Sequence, residues 1–486
     1  MESFDYYLET VGEIGFVEQV TADVVSVLGL PGVKPDELVV FETGDVGQAL
    51  FLSPEKVMVL LFEEANIKSG IRVARTGQSL SIPVGKELLG RLVNPLGHLL
   101  NQAKPFPRHL PRRFLSEKPP GISERTAVRQ QLETGVAVVD VLLPLGYGQR
   151  ELIIGDRKTG KTAFLLQTVL NQVKEGTLCI WAAIGKKRAE IKQIEEFFVK
   201  NRVMDKIVIV AAGAEDATGL IYLAPYSAIC LAEYFKEIGL NSLVVLDDLT
   251  VHAKFYRELS LLSERFPGRE SYPVDVFFTH AAILERGGNF KHNGKEVSIS
   301  ILPIAETIEG DLSGYIQTNL MSMTDGHLFF DRDLFSKGRR PAINPFLSVT
   351  RVGRQTQSAL GRNINRELMS FLVSYQKLSS YLHFGAELTA ETQTILARGE
   401  GIIDFFNQSS AESISLPAAF FVLACLWLDF WKDQDRRNCK DSCTKMAGSY
   451  EKDSSLARKI DAMVKDSADF SSLTAKVKDY LFKTKV

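Results

Sequence analysis

The chain has 486 residues, of which 45% are hydrophobic and 24% charged. At roughly 100–200 residues per domain this length points to about three domains, and a composition near the globular average excludes a disordered or collagen-like bulk. Lys plus Arg total 57 against 59 Asp plus Glu, for a formal charge of −2, so there is no global electrostatic pull toward nucleic acid or an anionic membrane, and any polyanion must be held by a local site.

Five cysteines (Cys179, Cys230, Cys425, Cys439 and Cys443) are an odd number and do not form a disulfide framework. The Cys439/Cys443 spacing, with no second pair, does not suit a common zinc site. The opening Met1-Glu2-Ser3-Phe4-Asp5 is acidic and lacks the apolar stretch of a signal peptide. The longest apolar run, 414–428, contains Ser415 and Pro417 and falls short of the roughly 20 residues of a membrane span. It is expected to be a buried helix. The protein is expected to be soluble and to sit in a reducing compartment.

In sequence order, the first hundred residues read as short strands (16–27 and 47–62 among them), punctuated by glycines at 12, 15, 29, 32, 44, 47, 70, 77 and 85. That rhythm predicts a small barrel. The segment 104–120 carries five prolines and several basic residues and reads as a rigid crossing rather than a core element. Beyond Leu132 short apolar runs alternate with amphipathic stretches. Strands are expected at 151–154, 177–184, 206–212, 242–246, 275–279 and 297–303, and helices at 186–202, 222–238 and 254–265. Such alternation predicts a mainly parallel sheet with helices on its faces. After Val352 the spacing is helical, as at 365–383 and 391–406. The polar last 40 residues are expected to form a loosely packed helix. The expected architecture is a multidomain α/β protein: an N-terminal β-barrel (1–85), a central P-loop NTPase domain (86–355) and a C-terminal α-helical domain (356–486).

The sharpest local signal is Gly155-Asp156-Arg157-Lys158-Thr159-Gly160-Lys161-Thr162, which fits G-x-x-x-x-G-K-[ST] between an apolar strand and a helix. The glycines let backbone N–H groups turn toward phosphate oxygens, and the helix adds its positive N-terminus. Lys161 should reach the β- and γ-phosphates of ATP or ADP, and the Thr162 hydroxyl should ligate Mg²⁺. A second apolar strand ends in Asp247-Asp248. Asp247 is read as the acidic partner of Mg²⁺, and Asp248 equally well as the cap of the next helix.

Hydrolysis also requires a group to orient or deprotonate water. In rotary P-loop ATPases that carboxylate follows the next strand, but here 177–184 runs into Gly185-Lys186-Lys187-Arg188. Glu190 lies a turn into the following helix and is a poor substitute, while Lys187 reads as a solvated helix start. The site is expected to bind nucleotide and turn it over poorly. In Leu347-Ser348-Val349-Thr350-Arg351-Val352-Gly353 an arginine sits before a tight turn. By the residues alone a structural ion pair is the favoured reading of Arg351, and Arg354 and Arg362 compete with it as an arginine finger.

Several stretches together resemble the alpha-subunit family of F-type ATP synthases: Glu133-Thr134-Gly135, Leu145-Gly146-Tyr147-Gly148-Gln149-Arg150-Glu151 through Arg157, Asp247-Asp248-Leu249, Pro267-Gly268-Arg269-Glu270-Ser271-Tyr272-Pro273, His280 through Arg286, Leu302-Pro303-Ile304-Ala305-Glu306-Thr307, Met323-Thr324-Asp325-Gly326 and Gly338-Arg339-Arg340-Pro341-Ala342-Ile343-Asn344. They are collinear over roughly residues 10 to 410. The resemblance implies a subunit that alternates with catalytic beta subunits in a hexameric ring around a gamma stalk, with a regulatory and structural nucleotide site of its own. It implies that Arg351 reaches the neighbouring catalytic site, and that Arg340, Pro341 and the region of Gln408 line an adenine pocket. It implies a membrane association only through the ion-translocating sector, on the cytoplasmic face of a bacterial membrane or the matrix or stromal face of an organelle. Nucleic acid is not an expected partner. The sequence departs from the family at Lys158 and Lys186, each in place of a usual Gln, in its divergence after Gln408, and in an N-terminal helix missing or reduced to residues 1–10, which puts docking of the peripheral stator in doubt. Two other readings share the fold: a self-sufficient hexameric motor (a secretion ATPase or a Rho-like RNA ring), and an alpha paralogue recruited to a non-bioenergetic machine. Lys186 argues against the first, as does the lack of a basic, aromatic-bearing groove in the sequence.

Overall fold

The computed structural model describes residues 2–100, 110–382, 389–410 and 412–484. The part of the proline-rich crossing at 104–109 lies outside them, as does His383 at the end of the helix expected at 365–383. Contacts divide the protein into two compact units. The first comprises the residues up to Thr126, Gly176–Thr307 and Asp311–Thr324; the second comprises Ala127–Glu175, Ile308–Gly310 and Asp325–Val486.

The first unit begins with a short helix, Phe4–Val11, capped by the Ser3 side chain and closed by Gly12 at φ +73°. Its apolar face, Phe4 and Tyr7, packs on Val40 and Ala74 of the barrel. The barrel closes six antiparallel strands in the order Ile14–Thr21, Val24–Leu28, Lys56–Leu61, Val46–Leu52, Glu37–Phe41 and Arg72–Ser79. Inward positions carry Val17, Val25, Val27, Val39, Phe41, Val59 and Val73, and burying each such side chain is worth about 1.5–3 kcal/mol. Closure leaves no strand edge exposed.

The same unit holds a parallel sheet in the order Lys295–Glu306, Ser242–Asp247, Leu178–Lys186, Ile207–Gly213 and Arg91–Val93. Strand Gly288–His292, not anticipated from the sequence, forms a hairpin with Lys295–Glu306. The crossing contributes a short strand, Arg112–Phe114, paired with Ser81–Pro83, where only a linker was expected. Residues 275–279 are not a strand. They open the helix Val276–Leu284, whose buried positions Val276, Thr279, His280, Ile283 and Leu284 repeat at helical spacing. A five-residue window is too short to display that period.

In the second unit Glu151–Gly155 runs parallel to Gly326–Phe330, which pairs antiparallel with Val349–Thr350. Helix Lys161–Lys174 follows the first of these strands directly. Beyond a short antiparallel pair, Gln131–Leu132 with Leu145–Gly146, the regular structure of this unit is helical among the described residues. Leu416–Trp427, within the longest apolar run, is a buried helix with Pro417 in its first turn, where a missing N–H costs nothing. The tail is better packed than expected. It forms three helices, Arg436–Lys452, Ser454–Lys465 and Phe470–Thr484. Asp435 and Asp453 cap the first two, and Phe470, Leu473, Val477 and Leu481 bury one face of the third. Among the described residues no helix is long and apolar enough to cross a membrane.

Candidate functional site

In the second unit the loop between strand Glu151–Gly155 and helix Lys161–Lys174 turns through positive φ at Gly155, Lys158 and Gly160. Gly155 has φ +154°, and a Cβ there would run into the carbonyl oxygen of Phe330 on the adjacent strand. Gly160 caps the helix in the left-handed region at φ +99°. Lys158 also adopts positive φ, at +62°, and its side chain is exposed, as is that of Arg157. Asp156 is buried and accepts from the Gly310 backbone N–H at 2.9 Å, while the Thr159 hydroxyl donates to the Asp156 carbonyl at 2.7 Å. The buried Lys161 ammonium lies along the loop and donates to the carbonyls of Gly155 (2.7 Å) and Asp156 (2.6 Å). Thr162 is exposed in the first helical turn. This is a cationic loop at a helix N-terminus, suited to an anionic polyphosphate.

The residues expected around the base are placed differently from one another. Arg340 is exposed and stacks on the Phe335 ring, 3.5 Å from its centroid, and its backbone N–H donates to Asn407 at 2.7 Å. Pro341 follows through a cis peptide bond and lines a cavity of about 400 Å³ with Tyr375 and Phe406. Gln408 is only 4% exposed. Its amide oxygen accepts from Ala137 N–H (3.0 Å), and its amide nitrogen donates to the carbonyls of Gly135 (2.7 Å) and Glu412 (2.6 Å). Gln408 thereby ties Glu412 to the turn at 135–137.

Arg351 follows the short strand Val349–Thr350. Its backbone N–H donates to the Asp325 carbonyl at 3.1 Å, and Asp325 is itself clamped by Arg150 through two guanidinium bonds (3.1 and 2.8 Å). On one side the Thr350 hydroxyl donates to the Pro144 carbonyl at 2.8 Å. On the other, Gly353 packs so tightly on Pro144 that no Cβ fits. The Arg351 guanidinium is exposed and forms no salt bridge among the described residues. Arg354 and Arg362 are exposed as well, but neither follows a strand clamped in this way. The Arg150–Asp325 pair was not singled out from sequence; Gly353 was noted there only as the glycine of the turn after Arg351.

In the first unit, strand Ser242–Asp247 ends in two buried carboxylates joined by a cis peptide. Asp248 caps the next helix, its side chain accepting from Val251 N–H at 2.7 Å, and burial pushes its pKa up to about 7. Asp247 is different. The Lys186 ammonium lies 2.6 Å from its Oδ1, and 4.0 Å from Oδ2 of Asp248. Local geometry makes this reach possible. Ala183 stands opposite Asp247 in the register, and Gly185, at φ +61°, accompanies an irregularity between Ile184 and Lys186. A Cβ on Gly185 would strike Val251 and Phe255. Burial alone would lower the Lys186 pKa, but the Asp247 and Asp248 charges outweigh it and the net shift is upward. Glu190 is exposed in the first turn of helix Arg188–Lys200, and Lys187 is an exposed helix start.

Asp247 was expected to ligate Mg²⁺. Its carboxylate is paired with the Lys186 ammonium at 2.6 Å.

Against known families, the model of the ATP synthase alpha/beta family nucleotide-binding domain matches residues 135–350. The model of the C-terminal domain of the ATP synthase alpha/beta subunits matches residues 357–479. The matched regions take in the phosphate loop, Lys186, Asp247, Arg340 and Gln408, and Arg351 falls between them, directly after the first.

Proposed function

The protein belongs to the ATP synthase alpha/beta family, and we propose that within it this protein is the non-catalytic, alpha-type subunit. Members of the family bind nucleotide and work in hexameric rings of alpha and beta subunits. In this reading it alternates with catalytic beta subunits around a central gamma stalk, holds ATP or ADP on loop 155–162 through Lys161, and lends Arg351 to the neighbouring catalytic site. The assembled complex couples ATP synthesis or hydrolysis to ion translocation. The subunit meets the membrane only through the ion-translocating sector, on the cytoplasmic face of a bacterial membrane or its organellar equivalent.

One observation carries the proposal. Where a hydrolytic subunit needs a carboxylate to take a proton from water, this protein presents Lys186, already ion-paired with Asp247 at 2.6 Å. An ammonium has no lone pair to accept that proton. The exposed, firmly seated Arg351 supports the second half of the reading.

Steady-state hydrolysis tests it. The purified protein alone is expected to turn over ATP below about 0.1 s⁻¹, two orders of magnitude under the ordinary enzyme median of about 10 s⁻¹. Mixing with the catalytic partner is expected to restore turnover. Hydrolysis near 10 s⁻¹ by the protein alone would contradict the proposal and favour a self-sufficient motor.

A further inference from the structure

We propose that Glu151 is a positioning residue for Arg351: its buried carboxyl braces the short strand from whose end Arg351 leaves the sheet. The inference rests on the reading of Arg351 as the group lent to the neighbouring catalytic site, and deepens it.

Glu151, Gly326 and Thr350 stand in one row across three adjacent strands, with Gly326 paired to Glu151 on one side and to Thr350 on the other. The middle position has no side chain, and the Glu151 carboxyl takes up the space: a Cβ on Gly326 would lie 2.7 and 2.8 Å from its two oxygens. Glu151 is fully buried. Its Oε2 accepts from the Gln149 amide at 2.6 Å, and the same amide nitrogen donates to the Thr350 hydroxyl oxygen at 3.4 Å. Thr350 passes the chain on to the Pro144 carbonyl, and Gly146 N–H, donating to the Gln149 amide oxygen at 2.8 Å, fixes which way that amide points. The other carboxyl oxygen, Oε1, is buried and has no hydrogen-bond partner among the described residues, a cost to folding that calls for a reason. Burial pushes the Glu151 pKa well above the ordinary carboxylate range, with the Asp325 charge acting in the same direction and the Gln149 bond and the Arg351 charge opposing. A neutral carboxyl braces Thr350 without capturing the guanidinium beyond it. An ionised one would hold Arg351 as a counter-ion and cancel the charge that a transferring phosphoryl group needs.

The test is ATP turnover of the ring assembled with its catalytic partner, for Glu151→Gln, Glu151→Leu, Arg351→Ala, and Glu151→Leu combined with Arg351→Ala. Glu151→Gln, neutral and of the same shape, is expected to keep kcat within about threefold of wild type. Glu151→Leu is expected to lower kcat at least about tenfold while KM for ATP stays within about twofold. In the Arg351→Ala background it should add nothing, because it acts through that arginine. A kcat unchanged by Glu151→Leu, or a further loss in the Arg351→Ala background, overturns the proposal and leaves the Arg351 assignment standing. A loss of about tenfold or more in Glu151→Gln overturns it too, since the carboxylate would then act as a charge. Unchanged turnover in Arg351→Ala overturns the assignment and the proposal with it. Should Glu151→Leu fail to assemble, Gln149→Met breaks the same chain at its middle and carries the cycle with the same expectations.

Discussion

Replacing Arg351 by alanine is expected to lower ATP turnover of the assembled ring by about 10³-fold or more, the range over which arginine fingers act. The guanidinium is exposed and in no salt bridge among the described residues, so stability should stay within about 0.5 kcal/mol. Its position, by contrast, is tightly defined. The backbone is held through Asp325, Thr350 anchors to Pro144, and Gly353 closes the turn. Such fixation is what a group stabilising charge on a transferring phosphoryl requires. Arg351→Lys keeps the charge but loses the planar fork, and should recover only part of the rate. The effect belongs in kcat, with KM for ATP little changed, because the finger acts on the transition state. Unchanged turnover in the alanine variant would refute the assignment.

The second large effect is on folding. Glu233 and Arg286 are each 2% exposed at the side chain. They form a two-bond pair (2.8 and 2.6 Å), and Arg286 also donates to the Leu115 carbonyl at 2.9 Å. Arg113 approaches the same carboxylate at 3.3 Å and has Glu117 and Glu237 as further partners. Glu233→Ala strands the Arg286 charge in the interior, a change that costs about 3–5 kcal/mol. A fall in melting temperature of roughly 10 °C is expected for a unit of this size. Glu233→Leu combined with Arg286→Met should restore most of that loss, since a buried pair replaced by apolar side chains is often neutral. A double variant no more stable than Glu233→Ala would show that the pair contributes more than compensation of its own burial.

The parts legible in the sequence were those encoded by neighbours. The phosphate loop carries its strand, its glycines and its helix within one short segment. The barrel announced itself through regular glycines, and the C-terminal domain through helical spacing. What escaped depended on residues distant in the sequence or on windows too short to read. Residues 275–279 look β-like until Ile283 and Leu284 complete the helical stripe. The tail looked loose because its apolar residues are sparse, yet Phe470, Leu473, Val477 and Leu481 fall on one face. Gln408 was placed by resemblance; its actual partners at 135–137 lie far back in the sequence. Lys186 is the sharpest case. The sequence showed a lysine where a carboxylate was sought, but only strand register brings its ammonium to Asp247.

The most direct test of the central claim, that this protein's own site does not hydrolyse what it binds, is a single-turnover experiment. Excess purified protein is mixed with limiting ATP labelled at the γ-phosphate, and samples are acid-quenched over a period in which an enzyme working at about 10 s⁻¹ would finish. The account predicts that the bound label is recovered as intact ATP. Recovery as inorganic phosphate would contradict it.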